Sequence, residues 1–362
     1  MDIEQLAGIY NNFYAPAFEI EIEGKNIVEM GIEVISVSVD NVLNDADYFT
    51  FTVNNAFDVI QQDVKWLNQF FTFGKKVKVK MGYVNSLEEI FVGLITSVRT
   101  KFQSDGIPQI EISGFDLSYC MMKGLKAYSW ENVRHSDIVR KIGEEGYKLK
   151  SVIENTQVMY PKVIKKDGTS DFKFLRELAE KNYFEFFVFG ETLHFRTPIY
   201  NKEPIVTLEW GKSLVNFNPE INIANQVTKV EVRGWNPVTK KEFIGRAKVG
   251  DELGKDYKNN RRSGGELVQE ICKEPIELTV TYPVFSQEEA DKLAKSILNQ
   301  HAEGLVTGSG ETIGIPKIMS GENIFLKGLG KKFSKSYYIE RSNHSINGSG
   351  YRTTFNVKES SI

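Results

Sequence analysis

One arrangement of segments occurs twice in this chain, once near each end, and it restricts the fold more than any composition figure. The first copy is an amphipathic helical stretch from Phe57 to Phe71, then Gly74 leading an alternating strand with Val77 and Val79, then FVGLITSV from Phe91. It closes with Gly106 and Pro108 before Ile110 and Ile112. The second runs from a helix over Gln287 to Glu303 through Gly321, Ile324 and Leu326 to SYYIERS from Ser336. Gly350 then leads into Tyr351, Thr353, Phe355 and Val357. Alternation keeps one strand face dry and the other wet, so each set is expected to curl into a barrel-like unit with its helix laid on it. The two copies share a pattern and few identical residues. Two similar units in one chain suit a ring, because three copies would present six of them.

The rest of the chain divides around these copies. FEIEIEG from Phe18, VISVSVD from Val34 and FTFTV from Phe49 alternate, and with the first copy they make a β unit over residues 1–118. In the stretch Phe57 to Phe71, Phe57, Ile60, Val64, Leu67 and Phe71 fall at helical spacing, one apolar stripe that needs a sheet to lie on. From 119 to 204 the period becomes helical. HSDIVRKIGEEGYKL from His135 and TSDFKFLRELAEKNYFEFFVFGETLHF from Thr169 each open on Ser-Asp, an N-cap worth about 1 kcal/mol. They are expected to close at Gly146 and Asn182, and a hairpin turns at Gly190, so this region reads as a small α+β insertion. Residues 205–362 return to strands, with a turn at Asn236-Pro237. A polar stretch at 248–265 reads as an exposed loop and the best candidate for disorder. In the helix from Gln287, Ser286 and Glu289 have the spacing of a capping box, and Ala290, Leu293, Ala294, Ile297, Leu298 and His301 form its apolar stripe. The fold class is therefore mainly β with an α+β insertion: two barrel-like domains, each with a packed helix.

Composition excludes several classes. A chain of 362 residues with 41% hydrophobic and 26% charged residues is globular, and 24 Phe and 15 Tyr in alternating runs are a strand-rich signature. A formal net charge of −3, with Lys and Arg spread along the sequence, argues against a strong electrostatic grip on nucleic acid. The acidic start shows no secretory leader, and no run of eighteen apolar residues predicts a spanning helix. Cys120 and Cys272 lie in no CxxC context and read as free thiols, buried or half-buried.

Catalytic and cofactor constellations are not recognisable. His135, His194, His301 and His344 are isolated and have no metal-ligand spacing. Gly211-Lys212-Ser213 ends like a phosphate loop, but Val206 occupies the required earlier glycine position. Gly308, Gly310 and Gly314 have the wrong spacing for a dinucleotide fingerprint and read as a turn. No nucleophile elbow is present. We therefore expect no enzyme activity, no cofactor and no metal.

The closing segment is more specific. The run GIPKIMSGENIFLKGLGKKFSKSYYIERSNHSINGSGYRTTFNV, with Gly314 and Pro316, Gly321, Gly328, Leu329 and Gly330, Phe333, Tyr337 and Tyr338, His344, and Gly350, Tyr351 and Thr353, resembles the end of phage late control gene D proteins. These are central hub proteins of contractile phage tails and of related bacteriocin and injection particles. KVEVRGWNPVTKKEFIGRA around Gly234 and Trp235, the SDFKFLRELAEKNYFEFFV segment and FVGLITSV extend the likeness over most of the chain. Ser334-Lys335-Ser336 departs from it, replacing a glycine often found after the Phe-Ser pair.

The resemblance implies two tail-tube-like barrels per chain and a homotrimer whose pseudo-six-fold ring seats a hexameric tail tube on one face and a trimeric spike on the other. It implies other baseplate proteins as partners, a spike encoded as a separate polypeptide, and nucleic acid only as passing cargo. The chain would be made in the bacterial cytoplasm and assembled into a phage tail or tail-like particle. The rival readings are a tail-associated peptidoglycan hydrolase and a glycan-binding module using Trp66, Trp130 or Trp235. For Trp235, after a glycine at a strand end, a buried structural place is expected.

Overall fold

The computed structural model describes residues 1–58, 60–102, 104, 106–236, 240–254 and 261–362. Its dominant feature is one thirteen-stranded sheet in which a six-strand pattern occurs twice. In sheet order the first set is Val34–Val42, Tyr48–Val53, Gln109–Asp116, Ser86–Lys101, Lys76–Tyr83 and Pro16–Ile22. The second is Leu214–Ile221, Val306–Ile313, Gly350–Glu359, Ser336–Asn347, Asn323–Lys327 and Val206–Glu209. Chain order within the two sets is the same.

The irregularities recur as well. The first strand of each set carries a bulge, between Val34 and Ser36 and between Leu214 and Asn216. The fourth strand of each carries another, between Ile95 and Ser97 and between Ile339 and Arg341. A bulge adds one residue and re-aims the strand beyond it, so matching bulges fix a residue-by-residue correspondence between the sets. The sets differ at the sixth strand: Pro16–Ile22 runs antiparallel to Lys76–Tyr83, whereas Val206–Glu209 runs parallel to Asn323–Lys327.

The two sets are joined edge to edge. Arg341 to Ile346 of the strand Ser336–Asn347 pair antiparallel with Val42 to Val37, making the sheet continuous across the chain. One apolar core underlies both sets, including Phe49, Phe51, Val79 and Ile112 from the first and Leu208, Ile324, Ile339 and Phe355 from the second.

The helix expected over Phe57 to Phe71 is not formed. Phe57–Asp58 and Asp63–Val64 make a short hairpin, followed by turns. The Asp58 carboxylate accepts from the amides of Ile60 and Gln61 (2.9 Å each), a local turn that competes with helix, and Gln62 and Trp66 adopt positive φ. The apolar stripe is split accordingly: Phe71 is buried and Ile60 is 96% exposed. The expected helix Gln287–Ala302 does form. It packs on a separate three-stranded sheet (Lys229–Asn236, Lys241–Lys248, Glu277–Thr281) through Ala290, Ala294 and Leu298 against Val230, Val232 and Ala247, and not on the large sheet. Ser286 caps it by accepting from the Glu289 amide (3.1 Å), but the Glu289 carboxylate accepts from Phe285, not from Ser286.

Between the sets, Met121 to Phe195 gather a core of their own. The helix Asp171–Asn182 starts where Ser170 accepts from Lys173 (3.1 Å), and the left-handed closing residue is Tyr183, not Asn182. In the earlier segment Ser136 and Asp137 lie inside the helix His135–Arg140, where Asp137 accepts from the Arg134 amide. Glu185–Phe189 and Thr192–Arg196 form the hairpin around Gly190, whose φ is +60°. Part of the turn at Asn236-Pro237 and residues 255–260 of the polar stretch lie outside the described residues. The described start of that stretch is tied down, with Glu252 buried and the Leu253 amide bonded to Asn299 Oδ1 (2.6 Å).

Candidate interaction surfaces and buried polar centres

Strand alternation gives the continuous sheet one polar face. Ser36, Ser38 and Asp40 alternate with buried Val37 and Val39, and Arg352, Thr354 and Asn356 alternate with buried Tyr351, Thr353, Phe355 and Val357. Its charges pair across strands: Arg341 grips Asp40 through two bonds (3.0 and 2.6 Å), Lys101 meets Glu111 at 2.8 Å and Arg352 approaches Glu311 at 3.9 Å. The face is therefore hydroxyl- and amide-rich and largely self-neutralised.

This face ends on two edges that no strand pairs among the described residues. One is Leu214–Ile221, whose ladder runs only to Val306–Ile313 apart from a bridge between Leu214 and Trp210, with Val215 48% exposed. The other is Ser97 to Lys101, beyond the point where Lys76–Tyr83 and its flank leave the strand Ser86–Lys101. By the bulge correspondence these are the equivalents of Val34–Val42 and of Arg341 to Ser345, the two strand segments that pair with each other within the chain. Unpaired strand edges are templates for further pairing.

Several of the singled-out closing residues converge on one buried centre. His344 is fully buried, with Nε2 at 2.9 Å from the Ile318 carbonyl and Nδ1 at 2.9 Å from the Tyr351 hydroxyl and 3.2 Å from Thr353 Oγ1. Thr353 Oγ1 also accepts from the Ile315 amide, and the Gly314 carbonyl accepts from Tyr83 of the first set (3.0 Å). Burial holds His344 neutral by pushing its pKa down to about 4. Gly314 is required by contact, since a Cβ there would lie 1.9 Å from Tyr351 Cγ. Pro316 is buried in the same loop.

The others are spread out. Gly321, Gly328, Gly330 and Gly350 take positive φ in turns, and the Phe333 carbonyl accepts from Tyr337. Gly234 is packed against Val284 and Tyr282. Trp235 is 56% exposed, contrary to the expected buried place, because it lies on the strand face opposite to Gly234 and the helix. Gly308 and Gly310 lie in the strand Val306–Ile313, not in a turn, and make room for the rings of Phe217 and Phe355. Lys335, in the departing tripeptide, is 1% exposed and donates to the Ser361 carbonyl, strapping the last residues down.

A second polar centre had no sequence signal. Tyr183 and Tyr200 both donate to Glu303, which also receives Lys358 (2.5 Å), and Tyr338 donates to Glu185 (2.6 Å). It ties the middle region to the second set. The buried carboxyls of Asp47 and Asp116 are held above the usual carboxylate range by burial, Asp116 at about 6. Their oxygens accept from Val42, Asn41, Asp47 and Ser118, so they fix a turn. Asp47 borders a cavity of ≈ 340 Å³ with Asn41, Phe187, His194 and Met319. His135 stacks on Tyr160 (4.0 Å) and His194 on Phe187 (4.7 Å), and among the described residues no cluster of three or more potential metal ligands forms. Trp66 packs half-buried on the main core and Trp130 stacks on Phe174. Cys120 and Cys272 are both exposed free thiols, a correction to the buried reading.

The fold is that of known tail proteins. The 43 kDa tail protein of prophage MuSo2 from Shewanella oneidensis is similar over 96% of this chain and 100% of its own, with a TM-score of 0.71 at 12% identity. The tail protein from Neisseria meningitidis MC58 is similar over 96% and 97%, with a TM-score of 0.69 at 14% identity. A component of the Escherichia coli type VI secretion system, structurally similar to T4 bacteriophage tail proteins gp27 and gp5, is similar over 94% and 76%, with a TM-score of 0.57 at 12% identity. No curated protein matches by sequence. The family model that matches is described as the Alg8 N-terminal domain and covers residues 14–348; it is not that of the late control gene D proteins. The chain therefore belongs to the Alg8 N-terminal domain family and shares its fold with these tail proteins.

Proposed function

We propose that this chain is a non-enzymatic structural hub of a contractile tail or tail-like particle, acting in the manner of the late control gene D proteins. Three copies close into a ring of six tail-tube-like units, with the hydroxyl-rich sheet face lining a passage for cargo. The ring seats a hexameric tube on one side and a trimeric spike on the other, adapting one symmetry to the other.

The observation that carries this reading is the repeated seam. The strand pair that joins the two sets within the chain has its equivalents on two unpaired edges of the same sheet. Joining one copy's Leu214–Ile221 edge to the next copy's Ser97 to Lys101 edge repeats the internal seam and is a heterologous contact, which closes only as a ring. Three copies then give six seams, three within chains and three between. The shared fold with tail proteins and the closing-segment resemblance support the same assignment.

Light scattering of the purified chain at several concentrations tests it. The expected species has three times the 41.2 kDa chain mass. A monodisperse monomer that stays monomeric beside a separately expressed spike protein overturns the reading.

A further inference from the structure

We infer that neighbouring copies join in one register, with Ser97 to Lys101 of one copy antiparallel to Asn222 to Asn218 of the next, Arg99 facing Glu220, and Pro219 leaving a gap in the ladder. This rests on the ring reading above and names what sets the register and strength of its joints.

The register follows from the bulges. Aligning Leu214/Asn216 on Val34/Ser36 places Glu220 at the position of Asp40 and Pro219 at that of Val39. Aligning Ile95/Ser97 on Ile339/Arg341 places Ser97 at Arg341, Arg99 at Asn343 and Thr100 at His344. In the internal seam Asn343 lies opposite Asp40 and His344 opposite Val39. The same seam between copies sets Arg99 opposite Glu220 and Thr100 opposite Pro219.

Charge supports this alignment. The internal seam is clamped by Arg341 on Asp40. Between copies the acid is kept as Glu220, and the base moves two residues along the same face to Arg99. In the single chain the Arg99 side chain is 70% exposed and 3.4 Å from Glu111, a carboxylate that Lys101 already holds at 2.8 Å. The guanidinium is therefore able to turn to Glu220 without leaving Glu111 uncompensated. Directly opposed unlike charges stabilise an antiparallel pair, and like charges there oppose it.

Backbone alternation locates the gap. The Asn222 amide donates inward to the Leu305 carbonyl (2.9 Å), so the amides at 221, 219 and 217 point to the open edge. The Leu43 amide, pointing outward to the Glu340 carbonyl (3.1 Å), shows the same phase at the internal seam. Position 219 is a proline and donates nothing, leaving the facing Thr100 carbonyl to water. Joints between copies are thus one bond poorer than the internal seam, and their ion pair is exposed to salt.

The test compares the full-length chain with Arg99→Glu, Glu220→Arg, the swapped double variant and Pro219→Val, reading trimer dissociation by sedimentation equilibrium. Each single reversal is expected to weaken a joint about fivefold, roughly a hundredfold over three joints, and the swap to recover most of it. Pro219→Val is expected to tighten the trimer, and rising salt to loosen the wild type. A wild-type trimer that ignores both reversals, or a swap no better than the worse single variant, overturns the register and leaves the ring standing. A wild type that never trimerises overturns the ring itself.

Discussion

His344→Leu probes the centre that locks the 314–320 loop to the last hairpin. At neutral pH the variant leaves the Ile318 carbonyl and the Tyr351 hydroxyl without their buried partner, and weakens the bonding of Thr353. Each buried polar group stranded in this way costs about 1–3 kcal/mol, so the expected loss is about 3–5 kcal/mol at pH 7. The pH dependence is the sharper part. Burial lowers the His344 pKa from 6.5 to about 4, so the folded protein binds this proton less readily than the unfolded chain does. Its stabilising contribution is complete above pH 6.5 and is lost as pH falls toward 4. Wild-type protein should therefore lose about 2 kcal/mol through this residue between pH 7 and pH 5, and about 3 kcal/mol by the time pH is below 4. The variant has no such proton to take up. Other buried groups, including His135, His194 and Asp116, titrate in both proteins and cancel in the difference. Urea unfolding followed by tryptophan fluorescence at pH 7 and pH 5 should show the gap between the two proteins narrow by about 2 kcal/mol. A gap of the same size at both pH values, or a loss below about 1 kcal/mol at pH 7, would refute the account of this centre.

Three further outcomes are expected. Gly314→Ala, whose Cβ would meet the Tyr351 ring at 1.9 Å, should destabilise by about 3 kcal/mol or more, whereas Gly348→Ala, with open space around it, should stay within about 0.5 kcal/mol in the same urea assay. Lys165→Met, which strands Asp171 and the Gly124 and Lys126 carbonyls around a fully buried ammonium, should cost about 3–5 kcal/mol, seen first in the fluorescence of Trp130. Cys120 and Cys272 should both react with a thiol reagent in the native protein, without prior reduction.

The sequence was readable where structure is local. The Gly190 and Gly350 hairpins and the helix from Gln287 follow from turn chemistry, capping and period, and their placement needed nothing distant. The segment from Phe57 misled for an equally local reason: its apolar spacing is helical, but Asp58 bonds to the amides two and three residues on and diverts the backbone. What the helix from Gln287 packs on was not readable, because its apolar face fits any sheet of the right size and the choice of the Lys229–Asn236 sheet is made in three dimensions. Trp235 was misjudged because a strand's two faces cannot be assigned to core and solvent before the helix is placed. The seam between Arg341 and Asp40, about three hundred residues apart, and the Glu303 network leave no trace in spacing at all. The recurrence of strands was visible. The recurrence of the bulges, which turns it into a register, needed the ladder itself.

End-on electron micrographs of the assembled chain would show directly whether three copies close into a ring. A closed ring with three-fold symmetry is expected, with six units of similar size around an open lumen and polar strands lining it. A particle with two-fold symmetry, an open filament, or a ring whose chains meet away from the Ser97 to Lys101 and Leu214–Ile221 edges would contradict it.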